Sequence, residues 1–202
     1  MKKAAVLLFC LISGSLFAQN DSVSWRQDVL NWQREMNSEY ADSSTSPLTN
    51  EDRLAFTGLD FYAPDSIFCV VAQLELTPDS HSFPMKTSTT RAPMYRQYGL
   101  LHFEINGKKY SLPAYQRAEV LTADEYAGYL FVPFTDLTNG NATYIGGRYL
   151  DFEIDSSNVY VIDFNKAYNP YCAYNHKYSC PVPPAENSLD CKIEAGVKKF
   201  GH

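Results

Sequence analysis

Basic runs are missing from this chain of 202 residues. Lysine and arginine total 17 against 23 acids, a net charge of -6 at pH 7. The pair Lys198-Lys199 is too short to neutralise a row of phosphates, which argues against nucleic acid as a partner. Catalytic signatures are missing too. There is no Gly-x-Ser-x-Gly elbow, no phosphate loop and no dinucleotide fingerprint. The four histidines fall in no triad or metal-binding spacing, and the cysteines form no Cys-x-x-Cys pair. No cofactor and no metal is therefore expected. No apolar run approaches the ~20 residues that span a bilayer, so no stable membrane span is expected. Internal repeats, heptads and low-complexity tracts are also absent, which leaves one domain with room for a sizeable core.

The first residues carry a different signal. Lys2-Lys3 followed by the apolar stretch Ala4 to Ile12, a break at Ser13-Gly14-Ser15 and a small residue at Ala18 have the anatomy of a secretory leader. The sequence thus divides into a signal peptide over 1–18 and a single β-rich domain over 19–202, with a periplasmic or secreted location. Phe9 beside Cys10 and the short leader argue against lipid attachment. Cleavage would leave Cys69, Cys172, Cys180 and Cys191, an even number in an oxidising compartment. Cys172 with Cys180 closes the shortest loop and is the expected disulfide. Cys69 and Cys191 either form a long-range bridge or stay free.

Along the chain, Trp25, Val29, Trp32, Met36 and Tyr40 recur at spacings that place them on one face of a helix from Ser24 to about Tyr40. Ser24 with Gln27 has the pattern of a capping box. Asn50 is expected to cap a short helical turn. Ile67 to Thr77 alternates as a strand, and Met85 to Arg91 is a further extended candidate. Tyr95 to Tyr115 reads as a hairpin about Asn106-Gly107, with Ile105 opposite Lys108, Glu104 opposite Lys109, Phe103 opposite Tyr110 and Leu101 opposite Leu112. Gln116 to Glu125 is a loop and Tyr129 to Phe134 a strand that Pro133 confines to an edge or terminates. Residues 147–154 and 159–164 suggest another hairpin about Asp155 to Asn158. The expected fold is mainly β: a sandwich or open barrel of antiparallel strands, an N-terminal amphipathic helix packed across it, and an irregular Pro/Tyr-rich C-terminal loop. Regular structure should fail from Asn165 onward, where Asn-Pro, Cys-Pro and Pro-Val-Pro-Pro force extended or turn geometry. A short element near Leu189 to Glu194 is expected to bring the chain back to the sheet.

The C-terminal third has a specific, non-repeating order: Pro133-Phe134-x-Asp136-x-Thr138-x-Gly140, Gly147-Arg148-Tyr149-Leu150, Asp163 through Tyr174, Cys180-Pro-x-Pro-Pro184, Glu186-Asn187 and Ile193-x-Ala195-Gly196. On these residues, and more loosely on Ser46-Pro47-Leu48 and Phe56-x-Gly58-Leu59, the chain resembles a prokaryotic family known as domain of unknown function 1684. That resemblance implies no activity. One position departs from it: Val197 stands where the family pattern leads us to expect Glu.

Among the polar residues of this stretch, Asp136 and Asp163 sit at strand ends, where loops build sites on a rigid scaffold. Arg148 follows two glycines, and its guanidinium is suited to a bidentate grip on a carboxylate or phosphate. Asn165, Tyr168, Asn169, Tyr171, Glu186 and Asn187 surround them. The functional reading is a pocket for a small polar or anionic ligand lined by these residues. The alternatives are a hydrolase-type enzyme using Asp136, Asp163 or Glu186 as acid or base, or an architectural role in which Arg148 pairs internally with Asp136 or Asp163. An exposed pocket separates the first two readings from the third, which requires a closed ion pair.

Overall fold

A computed structural model describes residues 13–118 and 128–201. The first part of the expected leader and most of the 116–125 loop lie outside the described residues. Helix α1 spans Ser13–Ala41 and a short helix α2 spans Asn50–Ala55. The strands are β1 (Cys69–Leu76), β2 (Phe83–Pro84), β3 (Met94–Ile105), β4 (Lys108–Arg117), β5 (Tyr129–Phe134), β6 (Arg148–Glu153) and β7 (Val159–Asp163). They form one antiparallel sheet in the order β6-β5-β4-β3-β1-β7, with β2 beside β3. The sheet curls into a half-barrel, so of the two architectures that alternation permits, the open barrel forms.

The β3–β4 hairpin pairs in the register read from the sequence, Ile105 with Lys108 through Leu101 with Leu112. Asn106 and Gly107 take φ of 51° and 79°, the positive values that a tight hairpin turn demands at both positions. A bulge between Gln97 and Gly99 then shifts the phase of β3. Leu101, Phe103 and Ile105 therefore face the main core with Leu112, Leu130 and Ile162. Tyr95 lies instead in a second cluster with Tyr115, Phe131, Tyr149 and Met85. Both faces of this end of the sheet are thus covered. The second face is aromatic, and it is the face on which the candidate site forms.

The apolar stripe of α1 makes the contacts its spacing predicts. Val29 is fully buried, Trp32 meets Phe61 edge-on at 6.0 Å, and Tyr40 meets Tyr174 at 5.0 Å. The indole of Trp25 donates to Asp163 at 2.8 Å and ties the helix to the end of β7. The capping box does not form. The helix runs through Ser24 without interruption, and the Gln27 amide donates forward to Asn31 instead. At α2 the cap is Thr49, whose hydroxyl accepts from the Asp52 amide at 3.1 Å, rather than Asn50.

The expected β6–β7 hairpin is also absent. β6 pairs with β5 and β7 with β1, at opposite ends of the strand order. The turn at 155–158 carries the chain across the open side of the half-barrel, where side chains bridge the edges. The Tyr160 hydroxyl accepts from the Asp155 amide at 2.9 Å, and Phe152 packs edge-on against Tyr160. The outer edge of β6 is taken by Tyr168, which exchanges backbone hydrogen bonds of 2.9 and 3.1 Å with Tyr149. Residues 85–91 form no strand; Thr87 makes a single bridge to Pro181. Residues 189–194 return to the sheet as expected, but through isolated bonds, Leu189 to Thr135 and Leu137 to Cys191, and not as a regular element.

Candidate functional site

Gly147 leads into β6 with φ of 88°, and a Cβ there would lie 2.6 Å from the Phe134 carbonyl, so only glycine fits this approach. The tight entry drives Arg148 inward, where it is fully buried. Its guanidinium pairs with Asp136 at 2.8 Å and donates to the carbonyls of Ile193 at 2.9 Å and of Ala195. It also lies 5.2 Å from the Phe134 ring. Burial pushes Arg148 below its ordinary pKa, and the Asp136 charge opposes that shift. Asp136 in turn accepts from the amides of Thr138 and Ile193. This is the closed ion pair that the architectural reading requires: the guanidinium meets residues 134–136 and the carbonyls of 193–195, and so ties the 189–196 return to the sheet.

The buried amides serve the same end. Asn187 donates to the carbonyls of Pro113 at 2.9 Å and Pro133 at 2.7 Å. These prolines lie in neighbouring strands β4 and β5, neither can donate to a ladder, and the two strands share one paired position, Tyr115 with Phe131. Asn187 supplies the donors that the prolines lack. Its own Oδ1 accepts from the Tyr115 hydroxyl at 2.7 Å, and Glu186, exposed, sits beside the same hydroxyl at 3.3 Å. Asn165 exchanges two bonds of 2.9 Å with the backbone of Asp65, and Asn169 donates to the Lys198 carbonyl at 2.9 Å. Asp163 caps the 3-10 turn at Phe164–Lys166 while accepting from Trp25.

Open space lies elsewhere, where α1 and the loop after Ala167 stand over the aromatic face of β5 and β6. Two clefts, of about 420 and 480 Å³, meet along a ridge made by Trp32, Asp151 and Tyr168. Of the residues that the sequence singles out, the structure brings Asp163, Tyr168 and Tyr171 to these walls. Asp136, Arg148, Asn165, Asn169, Glu186 and Asn187 are not among the residues lining them. Sequence reasoning missed the central residue, Asp151. Alternation along β6 places Leu150 inward and Asp151 outward beside Tyr149, and the register sets it opposite Phe131. One carboxylate oxygen accepts from the Tyr129 hydroxyl and the other from the Tyr168 hydroxyl at 2.5 Å. Asp151 is open to solvent, yet aromatic rings crowd around it on the wall that the two clefts share. That crowding pushes its carboxyl above the ordinary aspartate value, against the pull of the two hydroxyls. The same crowding and the Asp151 charge drive both tyrosines upward, so they remain protonated donors.

Cys172 and Cys180 adjoin, both buried, and the Cys172 amide donates to the Cys180 sulfur at 3.2 Å. No S–S bond joins them in the structure, where all four described cysteines are thiols. A hydrogen bond from Cys180 is the main cause that lowers Cys172 to about 6. Cys180 also lines the larger cleft. Cys69 stands beside Asp163, and Cys191 beside Tyr110. Among the described residues no group of histidines, cysteines and acids is arranged to hold a metal ion, and no helix is long and apolar enough to cross a membrane.

The profile of a family described as "Protein of unknown function (DUF1684)" matches residues 54–198. No curated protein matches the chain. Among solved structures, an uncharacterised protein of Haloarcula marismortui, determined by solution NMR, is 33% identical with a TM-score of 0.68, over 89% of this chain and 96% of that one.

Proposed function

This chain belongs to the domain of unknown function 1684 family, and on that footing we propose that it is a binding domain for a small polar ligand, seated in the paired clefts with Asp151 as anchor. The observation that carries this reading is the Asp151 carboxylate, fixed by one tyrosine hydroxyl on each oxygen in the wall of an aromatic cleft. A polar group preset among rings is the usual composition of a small-molecule site. The site thus differs from the Arg148-centred pocket expected from the sequence, because Arg148 is consumed by Asp136. The leader-like residues 1–18 support a periplasmic or secreted location for the domain. In an oxidising compartment the adjoining Cys172 and Cys180 would close into a disulfide.

A thermal-shift screen against sugars, nucleotides, organic acids and amines tests the reading, since a ligand that binds the native state raises its Tm. The expected result is a rise with one class, lost in Asp151→Asn and in Tyr168→Phe while both variants stay folded. A rise that survives both substitutions, or none with any class, overturns it. One observation favours a second reading, an acid–base hydrolase: the Asp151 carboxyl stands in an open cleft between two tyrosine hydroxyls, and crowding moves it in the direction a general acid needs. Turnover of a bound ligand that stops in Asp151→Asn would select that reading over simple binding.

A further inference from the structure

Resting on the reading that the cleft is a ligand site, we propose that its ligand is an organic ammonium ion. The first support is the hydrogen bonding of the groups at and beside Asp151. The hydroxyl hydrogens of Tyr129 and Tyr168 are spent on Asp151, and that of Tyr149 is spent on the Pro181 carbonyl. What these groups still offer is acceptor capacity. A carboxylate has about four lone-pair sites, of which the two hydroxyls occupy two, and a phenolic oxygen that donates can still accept. At Asp151 such acceptors suit a ligand whose polar group consists of N–H donors, and a carboxylate or phosphate placed there would meet unpaired lone pairs.

The second support is charge. Asp151 and Glu39 line the larger cleft, and none of the described residues lining it is basic. The neighbouring cleft adds Asp28 and Asp163 against one cation, Lys166, whose ammonium is already paired with Asp28 at 2.6 Å. Arg148, the guanidinium that could have drawn an anion here, is sealed on Asp136. The third support is the arrangement of the rings. Phe131 and Tyr149 meet at 4.7 Å and 77°, and Tyr149 and Tyr168 at 5.8 Å and 89°. These rings wall the larger cleft together with Tyr129, and they offer apolar surface to the hydrocarbon body of such a ligand. Carboxylate, acceptor oxygens and an aromatic wall converge on one ligand class, an ammonium group carried on an apolar body.

The test uses three compounds of one shape and different charge: benzylammonium, benzyl alcohol and benzoate. Each is titrated into the 15N-labelled protein at pH 7.5, following the amides of β5, β6 and residues 168–171. The expected order is benzylammonium tighter than benzyl alcohol by about tenfold, with benzoate weakest. Asp151→Asn should cost benzylammonium more affinity than it costs the alcohol, so that the gap between the two narrows. Equal affinity for ammonium and alcohol, or a preference for benzoate, overturns the cation assignment while leaving the cleft as a ligand site. No response of these amides to benzylammonium also overturns it. The thermal-shift screen with Asp151→Asn decides separately whether the cleft binds anything at all.

Discussion

Two aspartates of this sheet have opposite uses. Asp136 neutralises a fully buried guanidinium, and removing either partner leaves the other charge uncompensated in the core. Arg148→Met should therefore cost roughly 3–5 kcal/mol in urea unfolding; a loss below about 1 kcal/mol would contradict the tethering role. Asp151 is the reverse case. Its carboxyl is raised by burial among the surrounding rings, so folding makes its ionisation harder than in the unfolded chain. A group of this kind contributes stability below its unfolded pKa, and that contribution is lost as pH rises through its folded value. Asp151→Asn should thus match the wild type at low pH and equal or exceed its stability as pH rises above about 4. Urea midpoints measured between pH 3.5 and 7.5 check this, and an Asn variant clearly weaker at neutrality would assign Asp151 to architecture.

At the scale of elements, what the sequence made legible was local. The helix stripe depends on residues three and four apart, and the β3–β4 register follows from one dipeptide turn and the alternation around it. The partners of β6 and β7 were not legible, because alternation names the face of a strand but not its neighbour. Asp151 was hidden for the same reason. Beside Glu153 on the outward side of β6 it looks like an ordinary solvated acid, and its two hydroxyl partners lie 22 and 17 residues away. Arg148 was legible as unusual, through the glycines before it, but the carbonyls that absorb it come from the distant 193–195 return. The departure at Val197 also finds its reason here. That side chain is fully buried among Tyr40, Leu48, Leu59 and Tyr174. Val197→Glu should cost about 3 kcal/mol or more; unchanged thermal unfolding would contradict this. The segment from Cys172 to Cys180 carries its own prediction. Oxidation of the pair would constrain the unfolded chain by about 2.5 kcal/mol on the loop-entropy model. A reductant should then lower the Tm of protein isolated from an oxidising compartment. Four reactive thiols in that protein, or a Tm indifferent to reductant, would sink the disulfide.

For the whole molecule, one curled sheet leaves an open side between its terminal strands, and α1 with the loop after Ala167 partly covers it. The main core of aliphatic and phenylalanine side chains fills one face, and the buried ion pair with its asparagine tethers holds the irregular third of the chain in place. The second face is left aromatic and indented, with Asp151 at its centre. Architecture and site are therefore largely separate: Asp163 and Tyr168 serve both, while Asp136, Arg148, Asn165, Asn169 and Asn187 hold the loop without lining the clefts. The most direct measurement of that separation is a fragment screen of the 15N-labelled protein by NMR, mapping which amides shift. The account predicts that responses gather on β5, on β6 around Asp151 and on residues 168–171, with Asp136, Arg148 and Ile193 unmoved. Responses centred on Asp136 and Arg148, or none anywhere on the aromatic face, would contradict it.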